Sequence, residues 1–309
     1  MIYDVVIAGG GPAGLSAALA LGRARKRVLL CDAGPRRNAA AVHLHNFVTR
    51  DGTPPTEFRR IAREQLAGYP NVRVTDDAIA DIGGTRGAFA VALAAAQGVT
   101  ARRILICTGM IDEMLPIPGF QELWGHSIFQ CPYCHGWEIR DQRWGYLVVP
   151  QSAGHALPFA LQARGWTRDV TVFTHAAVTI PDDALAQLAA AGIRVETAAI
   201  ARLAARGDQL EAVELADGTA VRCDALFAHP PQRHVALVGQ LGLALDDDGY
   251  VKIDAMRRET SVPGIYAAGD LTTRMQGAIV AAAAGTHAAA AINMELSMEL
   301  AVAGTLDPA

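Results

Sequence analysis

The sequence predicts an α/β protein of two doubly wound units, the second inserted into the first. Three observations predict it. Residues 2–32 read as strand, glycine turn, helix, strand and terminal acid. A second strand–turn–helix begins at Trp144. A later strand, running from Gly264 to Ala268 and ending in Gly269-Asp270, resembles those of the first unit, so the chain returns there. The first domain is thus expected at 1–116 plus 244–309, and the inserted one at 117–243.

The bulk numbers fit this picture. At 309 residues, two cores are the natural expectation. Hydrophobic residues at 51% and charged residues at 19% describe an ordinary globular chain. A net charge of −4 gives no electrostatic case for nucleic acid. The start, Met1-Ile2-Tyr3-Asp4, leads straight into a strand, so no leader peptide is expected. The Ala-rich run 278–291 is broken by Gly285, Thr286 and His287 and is not expected to span a membrane. A cytoplasmic location follows as an expectation.

Residues 2–8 are nearly all apolar, as a buried parallel strand should be. Gly9, Gly11 and Gly14 follow in G-x-G-x-x-G spacing, with a helix from Pro12 to about Arg23 and a strand Val28–Cys31 ending at Asp32. Glycines here permit a tight turn and let backbone amides approach a pyrophosphate. The helix N-terminus faces the anion, and Asp32 can accept from a ribose hydroxyl. Thr56 is expected to cap the next helix. Residues 71–75, 77–82 and 88–95 read as strands joined by turns, one of them at Gly83-Gly84. Ile104–Cys107 is a buried strand ending in the small pair Thr108-Gly109. Residues 115–119, rich in proline, read as a linker, and so does 238–248. The inserted unit continues with a turn at 150–155, a strand at 170–173, a helix at 182–191 and short strands near 193–198, 201–204, 209–215 and 225–229. A long helix is expected over about 276–302.

The chemistry is carried by Cys131-Pro132-Tyr133-Cys134-His135-Gly136-Trp137-Glu138. Cysteines separated by two residues at a helix start can close a small disulfide and release a thiolate near neutral pH. His135 titrates near neutrality and can carry the proton this chemistry moves, or can tune Cys134 by charge alone. Glu138 is a weaker candidate for orienting it. Three other readings stay open: half of a zinc site, a c-type haem attachment, and a core pair. Zinc lacks its second pair, since Cys31, Cys107 and Cys223 are scattered singly. His43 and His45 are loop residues that could equally lie over a cofactor ring.

Taken together, Gly9-x-Gly11-x-x-Gly14 with Asp32, Thr108-Gly109, the Cys-x-x-Cys of an inserted domain and Ala268-Gly269-Asp270 resemble the low-molecular-weight thioredoxin reductases. Arg274-Met275-Gln276-Gly277-Ala278 extends the match. The resemblance covers essentially the whole chain. It implies two Rossmann-like domains, FAD in the first, and a homodimer. By that resemblance the Gly9 turn, with Pro12 and Ala13, and Asp32 hold the ADP half. Asp270 meets the flavin's linker, and Gln276, Gly277 and Ala278 meet the ring. Arg37, Asn38, His45, Asn46, Thr108, Gly109 and Gly269 complete the expected cofactor set; no metal is expected. Cys134 would stack on the flavin, and Cys131 would exchange with substrate.

The departures point further. Reductases of this family bind NADPH through a glycine turn in the inserted domain, followed by basic residues. Here Pro150 removes an amide donor, Ser152 adds a side chain, and Thr174-His175-Ala176-Ala177 offers no arginine. An aspartate usual after the second cysteine is His135. The redox segment, with Gly34-Pro35-Arg36-Arg37-Asn38 and Arg50-Asp51-Gly52-Thr53-Pro54-Pro55, looks like the branch that forms disulfides in gliotoxin, holomycin and romidepsin. The expected activity is FAD-dependent oxidation of a small dithiol, with dioxygen as acceptor and without NADPH. Two alternatives stand beside it: a reductase fed by NADPH or another donor such as ferredoxin, and a non-catalytic flavin thiol sensor.

Overall fold

The structure is a computed structural model that describes residues 2–306. Strand β1 (Ile2–Ala8) lies in the middle of the first sheet because its residues have no polar face to offer water. Helix α1 (Pro12–Arg23) follows, then strand β2 (Val28–Cys31), helix α2 (Pro55–Ala67) and strands β3 (Val72–Thr75), β4 (Ile79–Thr85), β5 (Ala88–Leu93) and β6 (Val99–Ile106). The sheet order is β3-β2-β1-β6-β5-β4, and the late strand Ile265–Ala267 also pairs with β6. β1, β2, β3 and Ile265–Ala267 run parallel, with Val6 opposite both Leu29 and Ile104 and with Ile265 opposite Ile104. β4 and β5 add an antiparallel flap.

The chain's return is sealed by helix Ala278–Val302. It is long and apolar enough to cross a membrane. Here, however, Ala281, Gly285, Ala288, Ala289 and Ile292 are buried in the same core as Ala13, Ala17 and Leu21 of α1. Small residues allow the close approach: a Cβ on Gly285 would lie 2.0 Å from the Ala13 carbonyl oxygen. Arg103 of β6, fully buried, is neutralised by Glu295 and Glu299 of this helix.

The second unit holds a five-stranded parallel sheet ordered Arg194–Glu196, Asp169–Phe173, Arg143–Leu147, Ala225–Ala228 and Ile128–Phe129. A three-stranded antiparallel sheet of Ile200–Arg206, Gln209–Leu215 and Ala220–Arg222 accompanies it. The chain is therefore α/β with two Rossmann-like units, as the sequence predicts.

Several local expectations are corrected. Helix α2 begins at Pro55 with Pro54 in the cap position, so Thr56 is in the first turn and caps nothing. Gly83 and Gly84 lie within β4. The expected linker 238–248 is entered by a short helix, Ala236–Gln240, whose Leu237 and Val238 are core residues. The units themselves differ from the expected bounds. Ala40–Gly52 groups with Asp112–Gln232, and the chain from Arg233 onward groups with the first unit. Apolar burial of Leu237 and Val238 explains the second shift. The first reflects a loop whose contacts are long-range, as at Ala40, which packs against Gly125.

Candidate functional site

The first unit builds a cradle around the β1–α1 turn. Gly9 has φ 107°, and a Cβ there would lie 2.4 Å from the Cys107 carbonyl oxygen. At Gly14 a Cβ would meet the Gly9 carbonyl oxygen at 1.9 Å. Gly10, which the motif leaves unspecified, is equally constrained, because a Cβ would fall 2.2 Å from Cγ of Asp32. Gly11 differs: its Cβ would enter open space. That is where a ligand's backbone contacts would be made. Pro12 takes the first helical position, where no amide is needed, and Ala13 is buried behind it.

Asp32 is nearly buried, and Arg59 from α2 holds it with two contacts, both to Oδ2. Oδ1 keeps acceptor capacity for a hydroxyl. Arg59 was invisible to motif reading, because only tertiary packing brings α2 to the end of β2. Arg37 donates through Nη1 to Asp270 Oδ2 at 2.9 Å and to Gln276 Oε1 at 2.6 Å. Three cofactor candidates from distant segments thus meet. Thr108 sits beside Gly9, and its buried Oγ1 has no hydrogen-bond partner within the protein. Gly109 and Gly269 both adopt positive φ, and Gly277 precedes the helix that Ala278 opens. An orphaned hydroxyl, an open acceptor and an unfilled glycine surface are what a dinucleotide cofactor would satisfy. Asn38 belongs to this unit too.

The second unit carries the redox segment, which leaves the end of strand Ile128–Phe129. Cys131 and Cys134 are joined as a disulfide, with Cα atoms 5.3 Å apart. The helix Pro132–His135 is a single turn with Cys131 as its cap. One turn has little dipole to offer a thiolate, so the expected helix contribution is small. Gly136 is required there: a Cβ would lie 2.4 Å from the Pro132 carbonyl oxygen. The other cysteines are inert. Cys31 and Cys223 are buried thiols pushed up to about 12, and burial drives Cys107 up as well. Among the described residues no three His, Cys, Asp or Glu side chains gather as metal ligands.

His135 stacks on Phe129, with ring centroids 4.3 Å apart. Burial, and next the charge of His45, push its pKa down from 6.5 to about 4, although the Cys131 carbonyl acts the other way. His135 is therefore neutral at neutral pH, and its buried Nδ1 has no partner. That favours a proton acceptor over a fixed charge. The same depression has a stability signature. The unfolded chain takes up this proton as pH falls through 6.5, and the folded chain only near 4. Stability is full above pH 6.5 and declines toward pH 4, by at most about 3 kcal/mol. Denaturant titrations of His135→Asn should lack this decline; identical pH slopes in variant and parent would count against the buried neutral histidine.

Two cofactor candidates fall elsewhere than the cradle's unit. His45 and Asn46 lie in the second unit. There His45 Nε2 is 3.6 Å from Glu138 Oε1, and its Nδ1 is 3.5 Å from Asp51 Oδ1. Glu138, expected beside His135, pairs with His45 instead.

The 150–155 turn is a 3₁₀ helix, Pro150–His155, whose Ser152 is buried. Ser152 Oγ accepts from the Val149 amide at 3.2 Å and donates to the Val149 carbonyl at 3.1 Å. After strand Asp169–Phe173, His175 Nδ1 accepts from the Ile200 amide at 2.8 Å, and the Ala176 amide donates to Thr197.

Comparison with known proteins agrees with this layout. The family model described as pyridine nucleotide-disulphide oxidoreductase matches residues 3–285. The chain belongs to that family. Thioredoxin reductase tcpT of Claviceps purpurea is 34% identical over 278 residues, 87% of this chain and 86% of the relative. A probable thioredoxin reductase of Arthroderma benhamiae is 30% identical, covering 97% of this chain and 82% of its own. Among solved structures, an oxidoreductase from Agrobacterium tumefaciens superposes with TM-score 0.88 at 37% identity, over 96% of this chain and 99% of that one. The structure titled HlmI gives 0.89 at 34%, over 98% and 95%. This pyridine nucleotide-disulphide oxidoreductase is thus a thioredoxin-reductase-like flavoprotein enzyme, and its cofactor is FAD.

Proposed function

We propose that the protein oxidises a small dithiol to a cyclic disulfide, with dioxygen as final acceptor and hydrogen peroxide as second product, and without NADPH. The carrying observation is Ser152. Its side chain stands where the motif's second glycine would let a pyrophosphate approach the backbone, and it is tied to the Val149 amide and carbonyl, while Pro150 supplies no amide. The following loop spends His175 on Ile200 and presents no arginine for a ribose phosphate.

The chain's residues account for the thiol step. A substrate thiol passes its proton to neutral His135, whose buried Nδ1 has no hydrogen-bond partner within the protein. The thiolate attacks Cys131 Sγ; the Cys131–Cys134 bond breaks, and Cys134 leaves as thiolate. The second substrate thiol, losing its own proton, attacks the substrate sulfur of the mixed disulfide. That releases the cyclic disulfide and leaves the electron pair on the two cysteines. FAD, held by the Gly9–Gly14 turn, Asp32, Arg37 and Asp270, supplies the acceptor for that pair and its route to dioxygen. In sum, dithiol plus dioxygen gives disulfide plus hydrogen peroxide.

A reductase driven by NADPH is the second reading, favoured by the names its relatives carry. Anaerobic mixing separates the two. Excess dithiothreitol is expected to bleach the flavin, with colour and one peroxide per flavin returning in air. NADPH is expected to bleach it at least about 100-fold more slowly, a difference of about 3 kcal/mol. Rapid bleaching by NADPH makes the protein a reductase.

A further inference from the structure

Of the phenylalanines, tyrosines and tryptophans among the described residues, only two side chains are exposed: Tyr133 at 60% and Trp137 at 68%. Both lie in the redox segment, one between the two cysteines and one three residues beyond. Large apolar groups left in water inside a polar rim mark a place where something binds. The backbone stays helical through Gly136, with φ −64° and ψ −28°, which brings residues four apart to the same side.

Neither ring is loose. Gln162 Nε2 donates to the Tyr133 hydroxyl at 2.7 Å. Tyr133 also packs edge-on against Trp166, with ring centroids 5.5 Å apart. Trp166 stacks in turn on buried Trp144, so Tyr133 is braced from the core of the second unit. Gly136 leaves room for this brace, because a Cβ there would lie 2.9 Å from Trp166 Nε1. Trp137 carries the Arg140 guanidinium over one face, Cζ 4.2 Å from the ring centroid, and Arg140 Nη1 donates to the Trp137 carbonyl at 2.7 Å. The exposure of Trp137 therefore belongs to its opposite face and its edge. Gln162 and Arg140, which hold the rings, are themselves exposed and polar.

We propose that Tyr133 and Trp137 determine specificity in the thiol step: two braced aromatic rings beside Cys131–Cys134 that select a small dithiol with a flat, apolar body. Rings already held in place lose little conformational freedom when a planar group stacks on them. Two rings exposed to this extent offer on the order of 300 Å². That is well below the roughly 800 Å² which each side of a specific protein–protein interface buries, so a small molecule fits and a protein thiol does not. The proposal deepens the thiol step above and rests on it, but not on dioxygen being the acceptor.

The test compares two dithiols that close the same six-membered disulfide ring. Dithiothreitol has a polar body; ortho-benzenedimethanethiol has an aromatic one. Each reduces Cys131–Cys134 to two thiols and is itself oxidised to the cyclic disulfide. Opening is followed anaerobically on the FAD-loaded full chain by alkylation trapping and mass spectrometry. The readout is the ratio of the two second-order rates, aromatic over polar, normalised to the same ratio on oxidised glutathione. A general effect on the disulfide cancels in it. The parent is expected to favour the aromatic dithiol by at least about five-fold, and Trp137→Ala and Tyr133→Ala each to lower the ratio by about three- to ten-fold. Trp137→Phe should keep most of it. An unchanged ratio in both alanine variants overturns the proposal. So does a loss confined to reduced thioredoxin as the reductant, which assigns the rings to a protein thiol. A disulfide that neither dithiol opens removes the thiol step and the proposal with it, whereas opening without peroxide in air removes only the oxidase reading.

Discussion

The Cys134→Ser variant is expected to stay yellow and to lose dithiol oxidation by at least about a thousand-fold. Serine cannot form the disulfide that takes the electron pair, and its hydroxyl is no leaving group for thiol exchange. The loss cannot be rescued internally. Cys31, Cys107 and Cys223 are buried, and their raised pKa values leave almost no thiolate at neutral pH. FAD retention is expected because Cys134 sits in the second unit, while the glycine turn and Asp32 sit in the first. Turnover within a few per cent of the parent, measured as oxygen uptake with dithiothreitol, would falsify the role given to this cysteine. A colourless variant would show instead that the disulfide segment supports the cofactor.

A pair of glycine substitutions should separate the fold from the cofactor. Gly14→Ala puts a Cβ 1.9 Å from the Gly9 carbonyl oxygen, which is backbone and cannot swing aside. The turn or α1 has to move. Overpacking of this kind costs about 1–3 kcal/mol or more. Both thermal stability of the apoprotein and bound FAD should fall, the latter at least about ten-fold, corresponding to about 1.4 kcal/mol. Gly11→Ala puts its Cβ into open space with φ −76°, which alanine accepts. Apoprotein stability should then change by less than about 0.5 kcal/mol, while FAD binding weakens as the methyl meets the cofactor. Flavin-to-protein absorbance and apoprotein melting give both readouts. Equal stability losses in the two variants would mean that the open space at Gly11 is not the cofactor's.

Sequence by itself determined the parts of this protein that depend on local patterns. A nearly all-apolar run reads as a buried strand, and β1 is one. Gly-x-Gly-x-x-Gly between strand and helix announced a turn where side chains do not fit, and Gly9 and Gly14 obey it. Cysteines at i and i+3 can reach each other within one turn, as Cys131 and Cys134 do. The suspicion against 150–155 was also local, since proline has no amide and serine has a hydroxyl; the structure shows where that hydroxyl goes.

Only the tertiary structure decided what depends on partners far apart in the chain. Arg59 on Asp32, and Arg37 on Asp270 across 233 residues, follow from packing of helices on a sheet and leave no periodic trace. Local signals also lost where burial outweighed them. Thr56 suits a cap, but Pro54-Pro55 set the backbone first; the 238–248 stretch looked like a linker, but Leu237 and Val238 were drawn into the core. His45 is the clearest case. Its loop has no repeat to read, and its partner Glu138 lies about ninety residues away. Protonation states belong to the same class: a lone histidine in a sequence is poised near neutrality, and only burial, with a smaller contribution from His45, pushes the His135 pKa down to about 4.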